Sequence, residues 1–445
     1  MSKFRTRGIY QQSRHSRRRR AVTALSCAVA VGLLASACGG ESAGGGDSNG
    51  KTVIRFANWA DTEPNTQPGI QALIKSFEAA HPDIEIKSEP VSYTDIEHQL
   101  VLQVQSGNPP DVAELQGNYT LNIGETGAFQ PLDGLADAQF QQSIIPSELE
   151  LGKIDGKLQA IPWTVGPFAL WYNKKILKDV GLDPAKPPTT WDELLTDLQK
   201  IHQSKPKVIA LGVDSTNRTY GLDTNWSIMK SFGAQPFQGS TATADTPEMK
   251  AYLGFMQKIA KNGYTPPNQK GGYFRQPAAS DQVAFTIDGP YVKGVVQSAN
   301  HMTDQEFYDT WGVAPLPTAT GQHYSAPTDH QLVMFKNSKH QKAAWEFMKF
   351  LATSPEGVQY AVKYEGSLPS VANPPAEVAK ELDNPIAQAF RNDVIPTVNR
   401  PEWGSHYANT YSDIMAGIQG VMTGSGSIDS VASQMQSAVK TGLGG

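Results

Sequence analysis

An α/β fold built as two similar halves is what this sequence predicts, on three observations. Apolar strand-like runs alternate with amphipathic helical stretches, and the alternation begins again after residue 190. No short-period repeat interrupts it, which argues against a solenoid. The composition is that of a globular chain: 445 residues, 39% hydrophobic, 9% aromatic and 18% charged, with 40 Gly and 30 Pro. That balance excludes a disordered polyelectrolyte, a coiled coil and a collagen-like repeat.

The elements follow in order. Residues 53–59 (VIRFANW) form a buried strand. Ile70, Leu73, Ile74 and Phe77 fall on one helical face, and His81-Pro82-Asp83 ends that helix. Ile84 to Lys87 alternates as a strand does. Ile96, Leu100, Val101 and Val104 give the next helical face, stopped by Gly107-Asn108-Pro109-Pro110, and residues 111–115 give a third strand. Strand, helix, strand, helix, strand implies parallel pairing through right-handed crossovers. In the second half, Thr190-Trp191-Asp192-Glu193 is a capping box that opens a helix with Leu194, Leu195, Leu198 and Ile201 inside. Strands follow at 208–213 and 283–287. Ala344, Phe347, Met348 and Leu351 mark another helix, and Ser354-Pro355 starts the one after it.

The first 50 residues do not belong to this body. A basic stretch ending in Arg17-Arg18-Arg19-Arg20, an apolar run to Leu34 and the small residues before Cys38 describe a secretory signal over 1–37. The apolar run is short for a membrane span of about 20 residues. Small residues followed by Cys resemble a bacterial lipobox, which implies lipidation of Cys38, although Ala35 stands where Leu is commoner. Two acyl chains suffice for stable anchoring. Residues 38–50 then read as the lipidated Cys and a flexible Gly/Ser tether, with a root-mean-square reach of roughly 20 Å. The arginine run leaves Sec and twin-arginine export both open.

Charge and cysteine usage narrow the function. The whole chain carries −5, but residues 1–37 hold eight Lys/Arg and no acid, so the remainder has 30 basic against 43 acidic residues, a balance of −13. Nucleic acid is not an expected partner of so acidic a body. The two cysteines are Cys27 and Cys38, so beyond the leader and its lipobox no disulfide, thiolate metal site or cysteine nucleophile is available. No Gly-x-Ser-x-Gly elbow lies beyond the tether, no His-Glu-x-x-His is present, and nothing marks a catalytic carboxylate pair. His323 and Asp329-His330 lack a spacing that would converge them on a metal. The expectation is therefore no enzyme, no metal and no cofactor, with a secreted glycosidase as the rival reading.

Several stretches, in order, resemble one family: residues 106–112 (SGNPPDV), 156–163 (GKLQAIPW), 171–174 (WYNK), 188–194 (PTTWDEL), 284–291 (AFTIDGPY), 312–317 (GVAPLP) and 421–424 (VMTG). They are similar to the extracellular solute-binding proteins, family 1, of ABC transporters, the maltose-binding-protein-like group, over roughly residues 51–440. The resemblance implies a two-lobed periplasmic-binding-protein-like clamshell, each lobe a sheet flanked by helices. Crossings are expected near 157–163, 309–312 and 352–356. Lobe 1 then takes 51–157 and 312–353, and lobe 2 takes 160–310 and 354–445. The solute sits between the lobes at the carboxyl ends of strands, and closure is a hinge motion. The implied partners are a small-molecule carbohydrate, ABC permease subunits and a membrane reached through the lipid anchor. The implied place is the extracellular face of the bacterial cytoplasmic membrane, and the expected assembly is a monomer.

A sugar site needs flat aromatic walls and groups that both donate and accept hydrogen bonds. Trp59 and Asp61 follow the first strand, as cleft contacts or as a core cap and a helix cap. Gln116, Asn118 and Tyr119 follow the third strand, and Asp214 follows the strand at 208–213. Trp163 lies at an expected crossing. The resemblance adds Trp226 as an aromatic platform, Tyr291 after Gly289-Pro290 as a solute contact, and Tyr411 as a stacking aromatic with Trp403 as the alternative. Asp329, beside His330, stands in a stretch that the family often fills with glycine. An anionic solute, such as a glycerol-phosphate-type polyol, would instead call on Arg275 or Arg400. A sensory or structural lipoprotein is a further alternative.

Overall fold

The computed structural model describes residues 50–93, 95–401 and 407–444, without the side chains of 407–409. The leader, Cys38, Trp403 and nearly all of the tether lie outside the described residues.

Two sheets organise the chain. The larger has six strands in the order Leu368–Pro369, Ala160–Val165, His330–Met334, Val112–Gln116, Thr52–Asn58, Ile84–Pro90. The first three strands in sequence pair in parallel, Thr52–Asn58 lying between the other two, as the βαβ reading requires. The smaller sheet has the order Trp311–Ala314, Ala169–Asn173, Val283–Asp288, Ile209–Gly212. His330–Met334 enters the larger sheet antiparallel to both Val112–Gln116 and Ala160–Val165. The sequence does not predict this strand, because so short an apolar run is equally compatible with a buried helix segment.

The helices form for the reasons their sequences suggest. Gln67–Ala80 buries Ile70, Leu73 and Phe77. In Trp191–Ser204 the capping box of Thr190 and Glu193 is complete, and Trp191, Leu194, Leu198 and Ile201 face inward. Ser354 Oγ accepts the Gly357 N–H at 3.0 Å and opens Pro355–Lys363. Side chains alternate across the sheets with the period of two that a pleat imposes. In Ala169–Asn173, Ala169 and Trp171 join one apolar cluster while Leu170 and Tyr172 join another. In the larger sheet, Leu332 and Met334 face one way and Val333 the other.

The sheets divide the chain at points other than the expected crossings. Ala160–Val165 belongs to the larger sheet and Trp311–Ala314 to the smaller, so the chain changes sheet between 165 and 169 and again between 314 and 330. The motif 156–163 therefore marks a strand of the larger sheet, beside the crossing rather than on it. No helix among the described residues is long and apolar enough to cross a membrane.

Candidate functional site

The carboxyl ends of strands from both sheets open on one cavity of about 1130 Å³. Trp59 follows Thr52–Asn58, Gln116 ends Val112–Gln116, Asp214 follows Ile209–Gly212, and Pro290 and Tyr291 follow Val283–Asp288; all five line it. The antiparallel His330–Met334 begins at the same edge, which adds Thr328 and His330. Open α/β sheets bind ligands at this edge because loops, not the hydrogen-bonded ladder, offer free polar groups there.

One wall is aromatic. Trp59 meets Tyr93 edge-on, with ring centroids 5.3 Å apart, and His330 at 4.8 Å. Tyr119 leans on Tyr93 from behind at 5.5 Å. Glu114 fixes the turn that carries Trp59: its Oε2 accepts the N–H groups of Trp59 and Ala60 at 3.2 and 3.3 Å. His330, beside Glu365 and Glu114, is held protonated to about pH 9, because those carboxylates outweigh the burial that favours the neutral ring.

The opposite wall is a polar network over buried Asp288. Arg275 donates to both its oxygens, Nε to Oδ2 at 2.9 Å and Nη2 to Oδ1 at 3.1 Å. Tyr220 donates to Oδ1 at 2.8 Å and also meets the Tyr291 hydroxyl. The guanidinium lies 4.7 Å from the centre of the Tyr291 ring, a cation–π contact. Gly289 is required here: a Cβ would come within 2.5 Å of the folded-back Tyr291 ring.

The two walls touch through amides. Asn118 Nδ2 donates to Asp223 Oδ1 at 2.5 Å and Gln116 Nε2 reaches Oδ2 at 3.5 Å, tying the end of Val112–Gln116 to the helix Thr219–Ser231. Burial pushes the Asp223 carboxyl up to about 8; nearby Asp329 adds to this, and the two amides work against it. Behind it, Glu148 is likewise pushed up to about 8 by burial and by Asp329, with Arg400 opposing. Each acid binds a proton more tightly folded than unfolded. Their contribution to stability is thus complete below about pH 4 and is lost as pH rises towards 8. Thermal unfolding between pH 5 and 9 is expected to show a falling midpoint, a loss on the order of 2 kcal/mol or more. Asp223→Asn should flatten the slope; an unchanged slope would assign the dependence elsewhere.

Several residues expected in the site lie elsewhere. Asp61 is used locally, accepting from Gln71 Nε2 at 2.9 Å and Ser88 Oγ at 2.8 Å. Trp163 is buried and stacks on Tyr360 at 5.1 Å, away from the cavity wall. Trp226 is buried in the apolar cluster of the smaller sheet, and Tyr411 packs against the same cluster. Asp329 is fully buried, with Oδ2 accepting from Gln331 Nε2 at 2.9 Å. Asn118 is spent on Asp223. Arg275 reaches the cavity, whereas Arg400 is turned to the Leu151 carbonyl beside Glu148 and Asp329. Tyr93, Tyr220, Tyr364, Glu63 and Glu365 line the cavity unforeseen. Tyr220, Tyr364, Glu63 and Glu365 do not follow a strand directly, whereas Tyr93 lies just past Ile84–Pro90, a strand end that the sequence reading left unused.

Comparison with known proteins agrees with this fold. The family described as bacterial extracellular solute-binding protein matches residues 61–358. The maltotriose-binding protein of Pyrococcus abyssi is 26% identical over 338 residues, 72% of this chain and 66% of that protein. Among solved structures, the GacH receptor of Streptomyces glaucescens, described unliganded and in complex with acarbose, aligns with a TM-score of 0.76 at 20% identity, covering 88% of this chain and 99% of that one. UgpB of Mycobacterium tuberculosis, in complex with glycerophosphocholine, aligns at 0.75 with 18% identity, covering 89% and 99%.

Proposed function

The chain belongs to the bacterial extracellular solute-binding proteins, and from that premise we propose a lipid-anchored receptor that captures a carbohydrate, an oligosaccharide, and delivers it to an ABC importer. The observation that carries the sugar class is the make-up of the cavity. Trp59, Tyr93, Tyr220, Tyr291 and Tyr364 line it with Glu63 as a polar neighbour, while Gln116 and Asp214 line it but are already bonded within the protein, Gln116 to Asn118 and Asp214 to Thr216 and Gly271. A pyranose presents apolar C–H faces and a rim of hydroxyls, which a lining rich in aromatic residues suits. At about 1130 Å³ the cavity exceeds the usual 300–1,000 Å³ of small-molecule pockets, room for more than one ring. The similarity to a maltotriose-binding protein points the same way.

A phosphate-bearing polyol fits less well. Arg275 faces the cavity, but both its bonds go to Asp288, so its charge is already neutralised. Free energy of solute binding enters as a higher population of the state that binds it better. The protein returns its solute unchanged, so no catalytic pair is required of the cavity.

A thermal-shift screen of the full chain against neutral mono- and oligosaccharides and glycerol phosphates tests this. Ligand at 100 times its dissociation constant adds about 2.7 kcal/mol. Stabilisation by a neutral oligosaccharide is expected; stabilisation by phosphates alone would overturn the sugar reading. Anchoring has its own test. Cys38→Ser is expected to move the protein from membranes to the soluble fraction, and retention on membranes would refute lipidation at Cys38.

A further inference from the structure

We propose that Glu114, His330 and Glu365 form a binding site for one divalent transition metal of the zinc class in the wall of the cavity. The sheet register assembles it. His330 pairs with Gln116 and Leu332 with Glu114, so Glu114 and His330 stand diagonally on the same face. Glu365 arrives from the segment after Pro355–Lys363. One donor atom of each residue lies within 4.8 Å of the others. His330 Nδ1 is 3.0 Å from Glu114 Oε1 and 3.8 Å from Glu365 Oε2. Ligands at about 2.0–2.2 Å in a tetrahedral shell stand roughly 3.4 Å apart, between those two distances.

The orientation of the donors is the second observation. Glu114 is fully buried, yet its Oε1 has no hydrogen-bond partner, and neither does His330 Nδ1. The two face each other at 3.0 Å as an ion pair, and a bound metal ion would take the place of the proton between them. Each carboxylate has its other oxygen held from behind. Glu114 Oε2 takes two backbone N–H groups, and Glu365 Oε1 takes the Tyr360 hydroxyl at 2.6 Å. Ligating carboxylates and imidazoles are oriented by such outer bonds. Glu63 adds a further carboxyl group nearby, so one imidazole faces three acids. An imidazole with two carboxylates suits zinc rather than magnesium or calcium. His330 and Glu365 line the cavity, so a fourth coordination position opens towards it. The site is independent of which solute the cavity takes.

The test is zinc titration of the chelator-stripped full chain, without a histidine tag, against a chromogenic chelator. One zinc per chain is expected. His330→Ala and Glu365→Gln should each weaken it at least about tenfold, and His98→Ala, on an exposed helix position, should leave it unchanged. Cobalt(II) added to the wild-type chain should give the intense visible bands of a four-coordinate nitrogen and oxygen site, a readout that does not depend on any variant folding. No stoichiometric zinc, zinc retained equally by His330→Ala, or the weak spectrum of hydrated cobalt would each overturn the site and leave the three residues as an ion-paired cluster.

Discussion

Trp226→Ala is expected to lower the unfolding free energy by about 3–5 kcal/mol, the range for truncating a large buried aromatic. Trp226 lies on Thr219–Ser231 with Leu222 and Met229 at helical spacing, and all three are buried in the apolar cluster of the smaller sheet. The indole is 4% exposed and does not line the cavity. Truncation leaves a void that neighbours fill only in part, so both transfer energy and packing are lost. Solute affinity, measured calorimetrically on the folded fraction, should change little. Unaltered stability with a large loss of affinity would make Trp226 a solute contact after all, as the family resemblance suggests.

Arg275→Ala is expected to cost about 3–5 kcal/mol, because it strands a buried carboxylate. Asp288 is 1% exposed, and Arg275 supplies the two bonds that bring a cation to it. Burial alone would favour a neutral guanidine, and Asp288 more than offsets that, so the pair is held charged. Arg275→Ala with Asp288→Asn should recover most of the loss, since the acid is then neutral. A double-mutant cycle in denaturant reads the coupling. Single and double variants both within about 1 kcal/mol of the parent would reduce the pair to a solvated contact.

These two residues also illustrate how far the sequence reaches. Local chemistry was legible: the capping box at Thr190, the N-cap at Ser354 and the faces of Ile70, Leu73 and Phe77 all depend on neighbours within one or two turns. Trp59, Gln116 and Asp214, which line the cavity, were legible as positions at or just past a strand end, and Tyr291, which also lines it, came from the family resemblance. Trp163 and Trp226 were not. Whether an aromatic faces a cleft or a core depends on which helix covers it, and Tyr360, which stacks on Trp163, lies almost 200 residues further on. The pairs Gln116–Asp223 and Asn118–Asp223 likewise join distant segments. Glu114 and His330 meet only through a strand that was not foreseen.

That strand has a consequence for the life of the chain before it reaches its destination. His330–Met334 separates Val112–Gln116 from Ala160–Val165, so the sheet that holds the strands of residues 52–116 cannot be completed until residue 334 has been synthesised. Until then the earlier strands lack their central neighbour, and pairings over such sequence separations form slowly. The larger sheet of a nascent polypeptide built this way therefore stays incomplete for most of its translation.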